Sequence, residues 1–206
     1  MTTKAPGKPA VHKATAPGTY TLDASGTVTL GAAGTPRDAS GTPTLTVSAL
    51  RGDLQHSTLH GDQGNTDQDL LVRDNGTYGA SLKITSTAFT KEFRPAVALL
   101  LVPDPATVGS AWSWSASSTD GKTMARATNR VERAQVLTIG GRAVPCAVLV
   151  THLVLSGDVT YDAQITTWWS PDFRLAVKDH TVGQGSYNGF PFKTDITTVM
   201  RSVTPS

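Results

Sequence analysis

The stretch Val159–Val177, VTYDAQITTWWSPDFRLAV, limits the fold of this chain more than any other segment. Val159, Tyr161, Ala163, Ile165, Thr167 and Trp169 fall on one side of it, and Thr160, Asp162, Gln164, Thr166 and Trp168 on the other. A strand turns successive side chains to opposite faces, so this alternation predicts a sheet with one face against apolar matter. The strand breaks at Pro171 and restarts as a second one. Similar alternation recurs along the chain, while no catalytic motif accompanies it.

Turn signals punctuate the pattern at short intervals. Asp23-Ala24-Ser25-Gly26, Asp74-Asn75-Gly76, Asp120-Gly121, Gly140-Gly141 and Ser156-Gly157-Asp158 each separate two strand-like runs. Asn-Gly and Asp-Gly supply the positive φ angles that tight hairpins need, so meandering antiparallel strands are expected. One segment leaves a helix open: Met124, Ala127, Val131 and Ala134 recur at helical spacing. The hairpin signal at Asp120-Gly121 favours strand there. The apolar run Pro95–Pro103 is bounded by prolines, which favours an extended segment. It is expected either inside the fold or across the mouth of a cavity.

Composition narrows the setting. Charged residues make up 17% of the 206 and hydrophobic ones 38%, and 31 threonines take the place of the missing residues. Threonine tolerates a strand and keeps its outer face wet. Low charge with much Thr, Ser and Gly suits a β protein outside the cytoplasm. A net charge of +2, with no block of one sign, gives no electrostatic case for nucleic acid. The single cysteine, Cys146, excludes an intrachain disulfide and reads as a small buried hydrophobe. Residues 1–18, rich in Pro, Lys, Ala and Thr, read as a disordered tether of the kind that follows a signal peptide or a lipidated cysteine. Residues 19–205 then form a single β domain.

Few residues suggest chemistry. His56 and His60 have a spacing that shares a metal on a helix, but on a strand they stand about 13 Å apart. The loop GDQGNTDQD at 61–69 gathers Asp62, Asn65, Asp67 and Asp69 without the Gly and Glu positions of an EF-hand, and reads as a solvated loop. Arg51-Gly52-Asp53 reads as a polar turn. The Gly-rich segment 183–189 precedes a strand and does not open a helix, so it lacks the setting of a phosphate cradle. No G-x-S-x-G elbow, no carboxylate pair and no Ser/His/Asp set is marked out. No cofactor, metal or catalytic residue is expected.

The large side chains are more telling. Trp112 and Trp114 share one strand face, Tyr161, Ile165 and Trp169 another, and Phe192, Ile196 and Met200 a third. They are either the solid core of a barrel or sandwich, or the lining of a concave apolar surface that holds a ligand.

The order of several motifs resembles a known group. Gly18-Thr19-Tyr20-Thr21 is followed by Phe93-Arg94-Pro95, Pro103, Val108-Gly109, Trp112, Trp168-Trp169-Ser170-Pro171, Leu175-Ala176-Val177 and Pro205. This resembles secreted or lipid-anchored bacterial proteins of unknown function, mainly actinobacterial. Their curved sheet is similar to the half-barrel of the lipoprotein-carrier family. The resemblance implies a concave apolar cavity for acyl chains, which in that family is covered by helices. It brings no catalytic residues, and this chain shows no helix pattern to form the cover.

The sequence therefore predicts an all-β chain forming a strongly curved antiparallel sheet, a half-barrel or incomplete barrel with little or no helix. Its expected role is a non-catalytic binding module outside the cytoplasm, secreted or lipid-anchored in the cell envelope. The expected partner is a lipid or other hydrophobic molecule, lined by the eight residues above, with Pro95–Pro103 near the mouth. The alternative is a structural or protein-interaction module of the envelope with a solid core. Membrane association would be peripheral, through an N-terminal anchor outside this chain.

Overall fold

The computed structural model describes residues 14–62, 64–86 and 89–206, and every regular element among them is a strand. In chain order these are β1 (Gly18–Leu30), β2 (Arg37–Asp38), β3 (Thr44–Val47), β4 (Leu54–Gly61), β5 (Gly64–Arg73), β6 (Gly76–Ser86) and β7 (Thr90–Phe93). They continue as β8 (Leu99–Pro103), β9 (Ala111–Ser117), β10 (Thr123–Ile139), β11 (Arg142–Gly157), β12 (Val159–Ser170), β13 (Leu175–Tyr187) and β14 (Phe190–Met200). All pair antiparallel in one sheet of order β7-β6-β5-β4-β3-β1-β14-β13-β12-β11-β10-β9, with β2 beside β1 and β8 beside β6.

The two ends of this path meet, so the sheet curls into a nearly closed barrel. β7 and β8 pair with successive halves of β6 and together face β9. Phe93 bridges to Ser118, the Thr119 amide donates to the Glu92 carbonyl (2.8 Å), and the Trp112 indole Nε1 donates to the Leu100 carbonyl (2.9 Å). Lys91 adds an ionic latch, its Nζ lying 2.7 Å from both Asp120 Oδ2 and Asp158 Oδ2. Among the described residues this seam is held by single contacts without a continuous ladder, and closure removes most of the exposed edge that an open sheet would present.

Local structure follows the residue pattern with instructive exceptions. In the segment 122–135, where Met124, Ala127, Val131 and Ala134 leave a helix open, residues 123–135 are strand, part of a β10 that pairs with β9 and β11. A bulge between Val131 and Arg133 bends the β10–β11 hairpin. Its tip is the two-residue turn Gly140-Gly141, whose φ angles of 55° and 77° are those a tight hairpin demands. Ile139, Val144 and Cys146 near this tip pack with Val177, Leu175, Val203 and Tyr20 into the largest core cluster.

Three expected loops are strand. Asp23–Gly26 does not turn, because β1 pairs with β14 without a break from Leu22 to Leu30. Gly26 is needed there for close approach: a Cβ would sit 2.0 Å from the Asp195 carbonyl oxygen. Most of the segment 61–69 belongs to β5, since Asn65, Asp67 and Asp69 each find a cross-strand partner in His60, Thr58 and His56. The Gly-rich segment 183–189 is mostly β13, and only Asn188 and Gly189 form the turn.

Of the segment read as a tether, residues 1–13 lie outside the described residues. Thr15 is buried, donates to the Arg174 carbonyl (2.6 Å) and accepts through its own carbonyl from Gln55 Nε2 (2.8 Å).

Candidate functional site

The register of the ladders assigns each side chain to the inside or the outside of the barrel. Ser57, Gln68, Leu82 and Phe93 are successive cross-strand partners on β4, β5, β6 and β7. Ala116, Ala125, Leu155 and Tyr161 form a matching row on β9 to β12. Asp179, Thr167, Leu149 and Val131 form a third, on β13 back to β10. These rows share the inner face, which is apolar near the seam and more polar toward β4 and β13.

The interior is not filled. A cavity of about 210 Å³ lies beneath the seam, walled by Leu82, Ile84, Phe93, Pro95, Leu99, Leu101, Trp114, Ala116, Ala125, Leu153 and Leu155. Among the described residues of its wall, Gln68 and Ser81 bring the only polar side-chain oxygens. Alanines at 116 and 125 leave the space that larger residues would occupy. Phe89, just before β7, meets Tyr187 at the end of β13, with ring centroids 5.4 Å apart.

A second cavity of about 180 Å³ lies deeper, between β3–β5 and β12–β14, and Gln68 borders both. Its walls carry Asp179, Ser57, Gln55, Thr198 and Arg174 beside Leu45, Trp169 and Met200. Asp179 accepts from the Thr167 hydroxyl (2.5 Å), and burial raises its pKa above the ordinary carboxylate value. Ser57 is buried, and among the described residues its hydroxyl has no hydrogen-bond partner. Arg174 is committed elsewhere, pairing with Asp104.

The eight residues singled out by sequence all lie on the inner face but do not converge. Trp114 borders the apolar cavity, while Trp169 and Met200 border the deeper one. Trp112 packs beside Trp169, Val131 and Leu149, its indole tied to β8. Tyr161 and Phe192 stack on each other at the rim, centroids 5.5 Å apart, with the Tyr161 hydroxyl 2.6 Å from Thr194 Oγ1. Ile165 and Ile196 flank Thr181 in one row and border neither cavity. Pattern reading missed Leu82, Phe93, Leu153 and Leu155, whose alternation is ordinary for a core. It also missed Asp179 and Ser57, whose polar side chains resemble outward-facing ones. In the Pro95–Pro103 run, Pro95, Leu99 and Leu101 form the seam-side wall of the apolar cavity.

Polar groups on the outer face pair with one another. His152 lies 2.8 Å from Asp162, His180 2.9 Å from Asp195 and His56 2.9 Å from Asp69. Thr58 Oγ1 lies 3.2 Å from the other nitrogen of His56, giving an Asp69–His56–Thr58 line. That line lacks what nucleophilic catalysis needs. Thr58 donates to Asp67 Oδ1 (2.7 Å), so its proton is engaged away from the imidazole, and these side chains border neither interior cavity. Among the described residues, no group of three or more His, Cys, Asp or Glu could hold a metal ion. Cys146 is buried, and burial pushes its thiol up to about 11, so it is a packing residue.

The chain matches no protein-family model and no curated protein. Solved structures similar to it include a candidate lipoprotein from Parabacteroides distasonis, 11% identical, with a TM-score of 0.47, covering 92% of this chain and 96% of that one. The hypothetical lipoprotein YmcC from Escherichia coli is 12% identical, with a TM-score of 0.39 and coverage of 91% and 86%. A candidate exported protein with a YmcC-like fold from Bacteroides fragilis is 8% identical, with a TM-score of 0.40 and coverage of 91% and 96%.

Proposed function

We propose that the chain is a non-catalytic binding module of the cell envelope, working outside the cytoplasm, that holds the apolar part of a lipid or other hydrophobic molecule beneath the seam of its barrel. The supporting observation is the apolar cavity of about 210 Å³ walled by Phe93, Leu99, Trp114, Leu153 and Leu155. Close-packed interiors leave few voids larger than a water, and unfilled volume costs stability that a filled core would keep. An apolar cavity of roughly 150 Å³ in another protein stays dry and takes up benzene. The space here suits one ring or a short length of alkyl chain. Placement outside the cytoplasm rests on the low charge and high threonine content of the chain.

The test is direct. Protein purified without detergent is extracted with organic solvent and the extract analysed by mass spectrometry, while the protein is titrated with N-phenyl-1-naphthylamine. The expected result is a co-purifying apolar molecule or saturable probe binding, lost in Ala125→Leu, whose added side chain enters the cavity at unchanged melting temperature. An empty extract and no saturable binding by the unaltered protein would overturn the proposal. That outcome would favour a structural or interaction module, a reading supported by a cavity smaller than the about 300–1,000 Å³ usual for drug-sized ligands.

A further inference from the structure

We infer that the deeper cavity is a head-group site, so that the ligand is an amphiphile whose polar end donates hydrogen bonds, an ammonium or a hydroxyl, to Asp179 and Ser57 while its tail occupies the apolar cavity. This rests on the binding role proposed above and specifies its ligand.

Two features of the cavity are unexplained by folding. Buried polar groups are paired in nearly all native structures, and an orphan costs the full desolvation of the group. Among the described residues Ser57 Oγ is such an orphan, on a residue only 3% exposed that borders the cavity. Asp179 borders the same space and accepts one side-chain hydrogen bond among the described residues, from Thr167, although a carboxylate offers about four acceptor positions. Both groups therefore have unused capacity facing one hollow.

The two hollows are placed for one molecule. Gln68 borders both and is the cross-strand partner of Ser57 on one side and of Leu82 on the other. The inner row Ser57–Gln68–Leu82–Phe93 thus grades from polar to apolar along a single line. The nature of the head follows from the donors that are missing. The cation bordering this cavity, Arg174, is paired with Asp104. A carboxylate or phosphate head would add acceptors to a wall already short of donors, whereas an amine or alcohol supplies the donors that Asp179 lacks.

The test compares three probes with one tail, octylamine, octan-1-ol and octanoate, by isothermal titration at neutral pH. The amine and the alcohol are expected to bind about tenfold or more tighter than octanoate, the scale of a hydrogen bond to a charged group. Asp179→Asn should remove that preference and leave the tail's contribution intact, while Ser57→Ala should weaken octan-1-ol without affecting folding. Equal affinity for the three probes, unaltered by Asp179→Asn, would overturn the head-group site and leave the apolar cavity standing as a binding site. If no probe binds, both readings fall together.

Discussion

Replacing Gly183 by alanine tests how tightly the inner face is packed at the rim. A Cβ built on Gly183 would lie 2.7 Å from Tyr161 Cε2 and Cζ and 2.7 Å from Ala163 Cβ, well inside contact distance. The ring lies over the glycine because nothing stands between them, and it is held there by Thr194 and Phe192. If the ring stays, the overpacking costs about 1–3 kcal/mol. If it swings away, it forfeits a hydrogen bond and an aromatic contact, each about 0.5–1.5 kcal/mol. Alanine returns about 0.4–1 kcal/mol by restricting the unfolded chain. By either route the net loss is about 1–2 kcal/mol. Urea unfolding followed by tryptophan fluorescence would read it as a lower midpoint at unchanged slope. In a Tyr161→Ala background the cost should shrink by about 1 kcal/mol, the ring's share, leaving the contact with Ala163. A neutral or stabilising Gly183→Ala, or strict additivity with Tyr161→Ala, would refute this account of the rim.

Three further outcomes follow from the same geometry. Asp179→Asn should raise the melting temperature at pH 7 and have little effect at pH 3. Burial raises the folded pKa of Asp179, so the native state binds its proton more tightly, and stability falls as pH rises past the unfolded value of about 3.9 and stays lower above the folded one. An equal effect at both pH values would contradict this. Asp120 and Asp158 behave oppositely: hydrogen bonds from Lys91 hold both carboxyls below their usual range, so the latch stabilises at neutral pH and is lost on acidification below about pH 4. Lys91→Met should flatten that acid dependence and speed hydrogen exchange at Phe93 and Thr119, and unaltered exchange would place the seam's strength elsewhere. Thr58→Ala and His56→Ala should leave the protein equally inert toward p-nitrophenyl esters, and turnover abolished by either change would revive an enzymatic reading.

The architecture was readable because alternation and paired turn residues are local signals. Val159–Trp169 announced its two faces, and the structure sends Trp169 inward and Trp168 into the core cluster with Val148 and Cys146. Two signals misled for physical reasons. The glycines at 26, 183 and 185 mark close backbone or ring approach in a tightly coiled sheet and were mistaken for turn or loop residues. The acidic run at 61–69 looked solvated because its pairing with His56, Thr58 and His60 depends on the register of the β4–β5 hairpin, which residue type alone does not give. Alternation alone could not decide whether the interior is hollow or filled. A strand that fills a barrel and one that leaves it hollow alternate identically, and the hollow arises where Ala116 and Ala125 happen to be neighbours across β9 and β10. Asp179 escapes the pattern because its charge suits an outward position, while the register of β12 and β13 sets it beside Thr167 on the inner row.

The central claim is that the barrel is hollow beneath its seam and accepts an apolar chain there. A crystal structure of the protein grown with octan-1-ol tests it most directly. The account predicts continuous density for the alkyl chain between Trp114, Phe93 and Leu155, with its hydroxyl directed past Gln68 toward Ser57 and Asp179. Leu82, Leu153 and Leu155 closed over the space, with no alcohol bound inside, would contradict it.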